Sequence, residues 1–261
     1  MKINMGFKWL LMIALLIGAS NCKPKQNRGI LSEQTHISVA AAANLRDVLE
    51  DLKQTYLREN PGRNLSLTFG SSGMLSQQII HGAPFDVFLS ADTLFPQKLQ
   101  QAGKTISSNT VYAYGKIVMW SGRFDVSRGL DLVLDEKVKK IAIANPDLAP
   151  YGKVAVETLK QSHLFSRIES KIVWAENVNQ AAQFASTGGA DLGFISLSGA
   201  LSGEMAKRGS YYELRGDESP GIPQSGVLIK GKNEAAARHF MAFITGQDMA
   251  GIWKKHGYAV E

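Results

Sequence analysis

HISVAAAANLRDVLEDLKQTYLRENPG, residues 36–62, changes its hydrophobic period part-way along. Residues 36–42 are mostly small and apolar and read as a short buried strand. Past Asn44, the apolar residues Leu45, Val48, Leu49, Leu52 and Tyr56 recur at the spacing of one helix face. Asn60-Pro61-Gly62 stops that helix, and Asn44, with Asp47 three residues on, is expected to cap its start. Between the two periods lies a junction, Ala41-Ala42-Ala43-Asn44, where a strand end runs directly into a helix start.

The same junction returns at Gly70-Ser71-Ser72-Gly73, Ala149-Pro150-Tyr151-Gly152 and Glu176-Asn177-Val178. Each would aim unpaired backbone N–H groups and the positive end of a helix dipole at whatever lies beyond the strand, which is a way of holding anions. No Lys or Arg occurs in these turns until Lys153, just past the third. If they converge, the ligand is an oxyanion gripped by dipoles and hydroxyls rather than by counter-charges.

Outward from these junctions the alternation continues. Residues 65–69 and 85–90 read as strands, 74–81 as a helix, and Asp92 is expected to cap a helix reaching about residue 102. A longer strand-like run spans residues 111–120. The βα pattern then restarts with strands at 141–144, 171–174 and 192–196, each followed by a helix. Residues 211–214 and 224–229 look extended, and 234–245 and 248–256 helical. Alternating strands and helices imply an α/β fold. Two αβ halves joined by crossings near residues 112–120 and 216–224 suggest two lobes: residues 36–115 with 221–261, and residues 116–220. Ligands of open α/β sheets bind beyond the strand C-terminal ends, here along the cleft between lobes, and a clamp that closes on its ligand follows.

Bulk composition narrows the function classes. The chain has 261 residues, 44% of them apolar, enough for sizeable cores. Its net charge of +6 comes largely from Lys2, Lys8, Lys23, Lys25 and Arg28, all preceding the first acidic residue, Glu33; without them 24 basic face 23 acidic residues. Nucleic-acid binding, which wants a basic stripe on the folded body, is not expected. Residues 1–22 read as an export signal: Lys2 and Lys8 flank the start of an apolar stretch, residues 9–17, too short to span a bilayer. Cys22 is the only cysteine, so no internal disulfide is possible. Its place directly after the apolar stretch resembles the lipid-attachment cysteine of bacterial lipoproteins; the alternative is cleavage after Ser20 with an incidental cysteine. Residues 23–35 would then be a flexible tether.

Five ordered pieces carry a resemblance: Ala-Ala-Ala-Asn-Leu (41–45), Phe-Gly-Ser-Ser-Gly-Met-Leu (69–75), Gly-Ala-Pro-Phe-Asp-Val-Phe-Leu-Ser-Ala-Asp (82–92), Asn-Pro-Asp-Leu-Ala-Pro-Tyr-Gly (145–152) and Ala-Glu-Asn-Val (175–178). Together with Trp-Lys-Lys-His-Gly-Tyr (253–258) they resemble the molybdate-binding proteins of bacterial molybdate ABC transporters, from His36 to the C-terminus. The resemblance implies a two-lobed periplasmic binding fold of type 2, a monomer without cofactor or catalysis, that captures molybdate or tungstate outside the cytoplasm and delivers it to an ABC permease. It places ligand contacts at Asn44, Ser72, Tyr151 and the backbone N–H of Val178, and leaves open whether Ser71 or Ser72 brings the closer hydroxyl. Ser196 stands where some relatives have tyrosine.

The donor chemistry suits this. A tetrahedral dianion has only acceptors, which backbone N–H groups, Ser hydroxyls and the Asn44 amide would match. Other readings are a same-fold protein for another anion such as sulfate, a ferric-ion binder suggested by Tyr211-Tyr212, and an enzyme. A carboxylate ligand would recruit an Arg fork, absent from the four turns. Gly70-Ser71-Ser72-Gly73 lacks nucleophile-elbow spacing, and the histidines at 36, 81, 163, 239 and 256 form no metal-ligand pair.

Overall fold

A computed structural model describes residues 36–216 and 218–260. The chain divides into two units, Met1–Ser32 and Glu33–Glu261. The export signal, Cys22 and the tether fall outside the described residues.

The second unit is built on two five-stranded sheets. Strands are β1 His36–Ala42, β2 Asn64–Gly70, β3 Val87–Ser90, β4 Thr110–Gly115, β5 Ile117–Ser121, β6 Ile141–Ala144, β7 Ile172–Ala175, β8 Leu192–Ser196, β9 Ser210–Glu213 and β10 Ile222–Leu228. The first sheet runs β2-β1-β3-β10-β4, with β1 parallel to β2 and β3, and β10 antiparallel to β3 and β4. The second runs β7-β6-β8-β5-β9, with β6 parallel to β7 and β8, and β5 antiparallel to β8 and β9. Each sheet is thus a parallel three-strand βα core, flanked by two antiparallel strands.

Helices follow the parallel strands: α1 Arg46–Glu59, α2 Ser72–Ile80, α3 Leu94–Gln101, α4 Pro150–Gln161, then the short α5 Phe165–Ile168, α6 Val178–Ser186, and the short α7 Leu197–Ala200 and α8 Met205–Arg208. On α1, Val48, Leu49, Leu52 and Tyr56 are fully buried, the face its spacing predicts. Asp92 accepts the Phe95 N–H at 3.2 Å, from one residue before the N-cap position of α3, which is Thr93 and makes no side-chain cap bond.

Two expectations need correction. Asn44 does not cap α1: a 3-10 turn, Ala43–Leu45, intervenes, and α1 starts at Arg46 without a side-chain cap. The run 111–120 is two strands in different sheets, divided at Gly115-Lys116. Strand propensity continues through this point, but Gly115 is where the chain changes sheet. A 3-10 stretch, Val126–Leu134, interrupted at Gly129 with φ 69°, lies between the elements that the sequence predicts.

The C-terminal elements α9 Glu234–Ile244 and α10 Ala250–Lys255 pack on α1. Phe240 and Phe243 meet the Tyr56 ring edge-on at 5.2 and 5.1 Å, and Lys255 and His256 both reach Asp51. Those two bonds hold the Asp51 carboxyl below its usual pKa, Lys255 contributing most. The chain end then pairs with the β4 edge through Tyr114 and Ala259. The second crossing therefore brings the C-terminus back to the first sheet.

Candidate functional site

The four junctions meet. One small pocket is lined by residues 42–44, 70–72, 149–151 and 177–178, together with Ala91. The first two groups and Ala91 come from the first lobe, the others from the second. The cavity is small, about 10 Å³. That suits one small ion and not a drug-sized molecule, whose sites take about 300–1,000 Å³.

No charged residue lines it. Lys153, two residues past Tyr151, is exposed and pairs with Glu157 on its own helix at 3.9 Å. What the pocket offers is hydrogen-bond donors, and the local structure decides which of them are free. In α4 the first residue, Pro150, has no N–H, so Tyr151 supplies the first donor of that helix. In α6 the Asn177 side chain accepts the N–H groups of Asn179 and Gln180, both at 3.1 Å, and leaves that of Val178, the first helical residue. At α2, Ser71 is extended and Ser72 is the first helical residue.

The two serines differ. Ser72 Oγ accepts the Ala91 N–H at 3.1 Å, which fixes the oxygen and leaves its proton to donate. Ser71 is 2% exposed, and its Oγ has no hydrogen-bond partner among the described residues. A buried hydroxyl without a partner, facing a pocket, is one that a ligand would satisfy.

Asn44 behaves differently from expectation. Its Nδ2 donates to Gln224 Oε1 at 2.8 Å and to Tyr258 Oη at 3.0 Å, with a longer approach of 3.4 Å to Tyr151 Oη. This orientation is fixed from outside. Gln224 Nε2 donates to the Ile222 carbonyl at 2.9 Å, so only its oxygen can face Asn44, and Asn44 must answer with its NH₂. Tyr258 in turn donates to the Asn44 carbonyl at 2.8 Å. The Asn44 amide is therefore committed beneath the pocket, and what remains for a ligand is its backbone N–H. Sequence reading placed neither Gln224 nor Tyr258 at the site, although Tyr258 closes the quoted piece 253–258.

Burial pushes the phenols of Tyr112, Tyr151 and Tyr258 above the ordinary tyrosine range, so all three stay neutral. The Tyr151 ring needs room that only glycine leaves: a Cβ on Gly115 would lie 2.2 Å from Tyr151 Oη. Ser196, buried at 1%, accepts the Gly199 N–H at 3.1 Å as the cap of α7. Tyr211 and Tyr212 lie outside the pocket; Tyr211 is exposed and Tyr212 donates to Glu218. No histidine lines the pocket, and those at 36, 239 and 256 bond Ser66, Tyr56 and Asp51.

A family profile described as "Bacterial extracellular solute-binding protein" matches residues 37–259, nearly the whole described fold. The chain belongs to that family.

Among relatives of this solute-binding chain is a molybdate-binding protein of Azotobacter vinelandii, 34% identical over 88% of this chain and 92% of its own. A Bacillus subtilis protein named as a putative ABC transporter substrate-binding lipoprotein is 26% identical over 97% and 99%. The solved periplasmic molybdate-binding protein of A. vinelandii superposes with a TM-score of 0.80 at 32% identity, covering 86% of this chain and 99% of that one. Among the described residues no helix is long and apolar enough to cross a membrane.

Proposed function

We propose that this solute-binding protein captures molybdate or tungstate between its lobes, outside the cytoplasm, and delivers it to an ABC permease without catalysing a reaction. The observation that carries the reading is a buried, ion-sized pocket with donors from four strand–helix junctions and no charged lining residue. The A. vinelandii relatives named for molybdate support the choice of anion. The donors are the backbone N–H groups of Asn44, Ser72, Tyr151 and Val178 and the hydroxyls of Ser71 and Ser72. Hydrogen bonds to a charged group contribute roughly 1.5–3 kcal/mol each, so these six give on the order of 9–18 kcal/mol before the entropy of association is subtracted. Selectivity is then geometric: an ion too small to reach every fixed donor leaves some buried and unpaired, at about 1–3 kcal/mol each.

Isothermal calorimetry on a protein beginning at Glu33 tests this with molybdate, tungstate, sulfate and phosphate. Tight one-to-one binding of the first two, with sulfate and phosphate silent, is expected; heat from sulfate and none from molybdate would overturn the assignment and keep the clamp.

The lipid anchor at Cys22 belongs to the same reading, supported by the lipoprotein name of the B. subtilis relative. Cell fractionation of Cys22→Ala is expected to move the protein from the membrane to the soluble fraction. If it stays on the membrane, Cys22 is not the anchor.

A further inference from the structure

Around the pocket, the two lobes are joined by hydrogen bonds that would touch no ligand. The N–H of Gly73, in the first turn of α2, donates across the cleft to the Leu148 carbonyl at 2.9 Å, just before the third junction. The Asn179 side chain, in the first turn of α6, donates across the cleft to the Ala43 carbonyl at 2.8 Å, in the first junction. The second junction is thus tied to the third, and the first to the fourth.

The Gly73 contact is also steric. A Cβ there would lie 3.0 Å from both Leu148 Cα and the Leu148 carbonyl oxygen, tighter than ordinary van der Waals contact. It would also meet the Phe95 ring at 3.0 Å within its own lobe. Gly73 has ordinary helical geometry, outside the positive-φ region, so the conformation by itself does not demand glycine. What demands it is close packing on two sides, against Leu148 of the second lobe and Phe95 of the first.

We infer that Gly73 and Asn179 are positioning residues forming a closure clasp, which holds the lobes together over the anion without contacting it. The inference deepens the anion-binding reading above and rests on it. Opening the cleft must break both bonds, while the encounter of an anion with the open form involves neither. The clasp therefore slows dissociation and leaves association alone, and it strengthens every anion that permits closure by the same factor.

The test uses Gly73→Ala, Asn179→Ala and the double variant, with calorimetry for affinity and stopped-flow fluorescence for rates. One hydrogen bond of ordinary net strength corresponds to about three- to tenfold in Kd, so Asn179→Ala is expected to weaken molybdate binding by that factor. Gly73→Ala, which adds the clash, is expected to weaken it tenfold or more. In both, the loss should lie in the dissociation rate, with association within about twofold of wild type. The molybdate-to-tungstate affinity ratio should be unchanged, a readout that damage to the donor set would move. Asn179→Ala removes no core side chain, so it keeps the test open if Gly73→Ala is disturbed through Phe95.

Wild-type affinity in both variants, or a loss lying in association, overturns the clasp. If wild type binds none of the four anions, the ligand reading falls and the clasp is judged alone by small-angle scattering: the double variant should be more expanded than wild type, and equal radii of gyration overturn it.

Discussion

Asn44→Asp is expected to abolish anion binding, raising Kd by about a thousandfold or more, while Asn44→Ser keeps most of the affinity. Asn44 is 3% exposed and lines the pocket, so a carboxylate there is a buried charge beside the bound anion. At about 4 Å and an effective dielectric of about 20, each unit of ligand charge is repelled by on the order of 4 kcal/mol, and 1.4 kcal/mol is tenfold in Kd. A second fault lies below the pocket, where Gln224 Oε1 sits 2.8 Å from the present Nδ2 and would face an acceptor instead of a donor. Serine removes the amide without adding charge and keeps the backbone N–H, which is the group the structure leaves for the ligand. It also leaves Gln224 Oε1 without that donor, so its cost should fall mainly on stability, about 1–3 kcal/mol. Calorimetry on both variants, with circular dichroism to verify folding, decides this; near-equal affinities would remove Asn44 from the site.

Gly152→Ala is expected to lower the melting temperature by roughly 2–12 °C and to weaken anion binding with it. A Cβ at Gly152 would lie 2.0 Å from the Ala144 carbonyl oxygen and 2.6 Å from the carbonyl carbon. Both atoms belong to the backbone of β6 and cannot swing aside, so α4 must back away from the second sheet. Overpacking of this kind costs about 1–3 kcal/mol, occasionally more, and 1 kcal/mol moves the melting temperature about 2–4 °C in a domain of this size. Pro150 and Tyr151 ride on the same turn, so the displaced helix takes one of the four junctions out of register. Gly251→Ala is the control: nothing lies within 4 Å of its added Cβ, and it sits inside α10. It should be neutral or stabilising by about 0.5–1 kcal/mol. Thermal unfolding of the two variants separates these outcomes, and a Gly152→Ala protein that melts like wild type would show that α4 yields easily.

Most of the fold was legible in the chain because its elements announce themselves locally. β1 matches its expected span, residues 36–42, and α1, α2, α6 and α9 follow apolar spacing that depends on neighbours within about two turns. The residues around Gly115 were harder. Strand propensity is high on both sides, and nothing within the stretch shows that β4 and β5 join different sheets. The 3-10 stretch at Val126–Leu134 does place Val126, Leu130 and Val133 at helical spacing, a signal that the sequence reading passed over, and Gly129 breaks the run at φ 69°.

By itself, the sequence determined that four strand–helix junctions exist, that they carry small, neutral polar residues, and that helix ends would present N–H groups there, because junction chemistry is set by a few consecutive residues. Only the tertiary structure decided that the junctions converge, and which donor at each is free. Asn44 spends its amide on Gln224 and Tyr258, 180 and 214 residues away. Gly73 spends its N–H on Leu148 in the other lobe, while Ser71 keeps its hydroxyl unspent. A donor's availability depends on every acceptor that folding brings within about 3 Å of it, and those acceptors come from distant parts of the chain that no local pattern links.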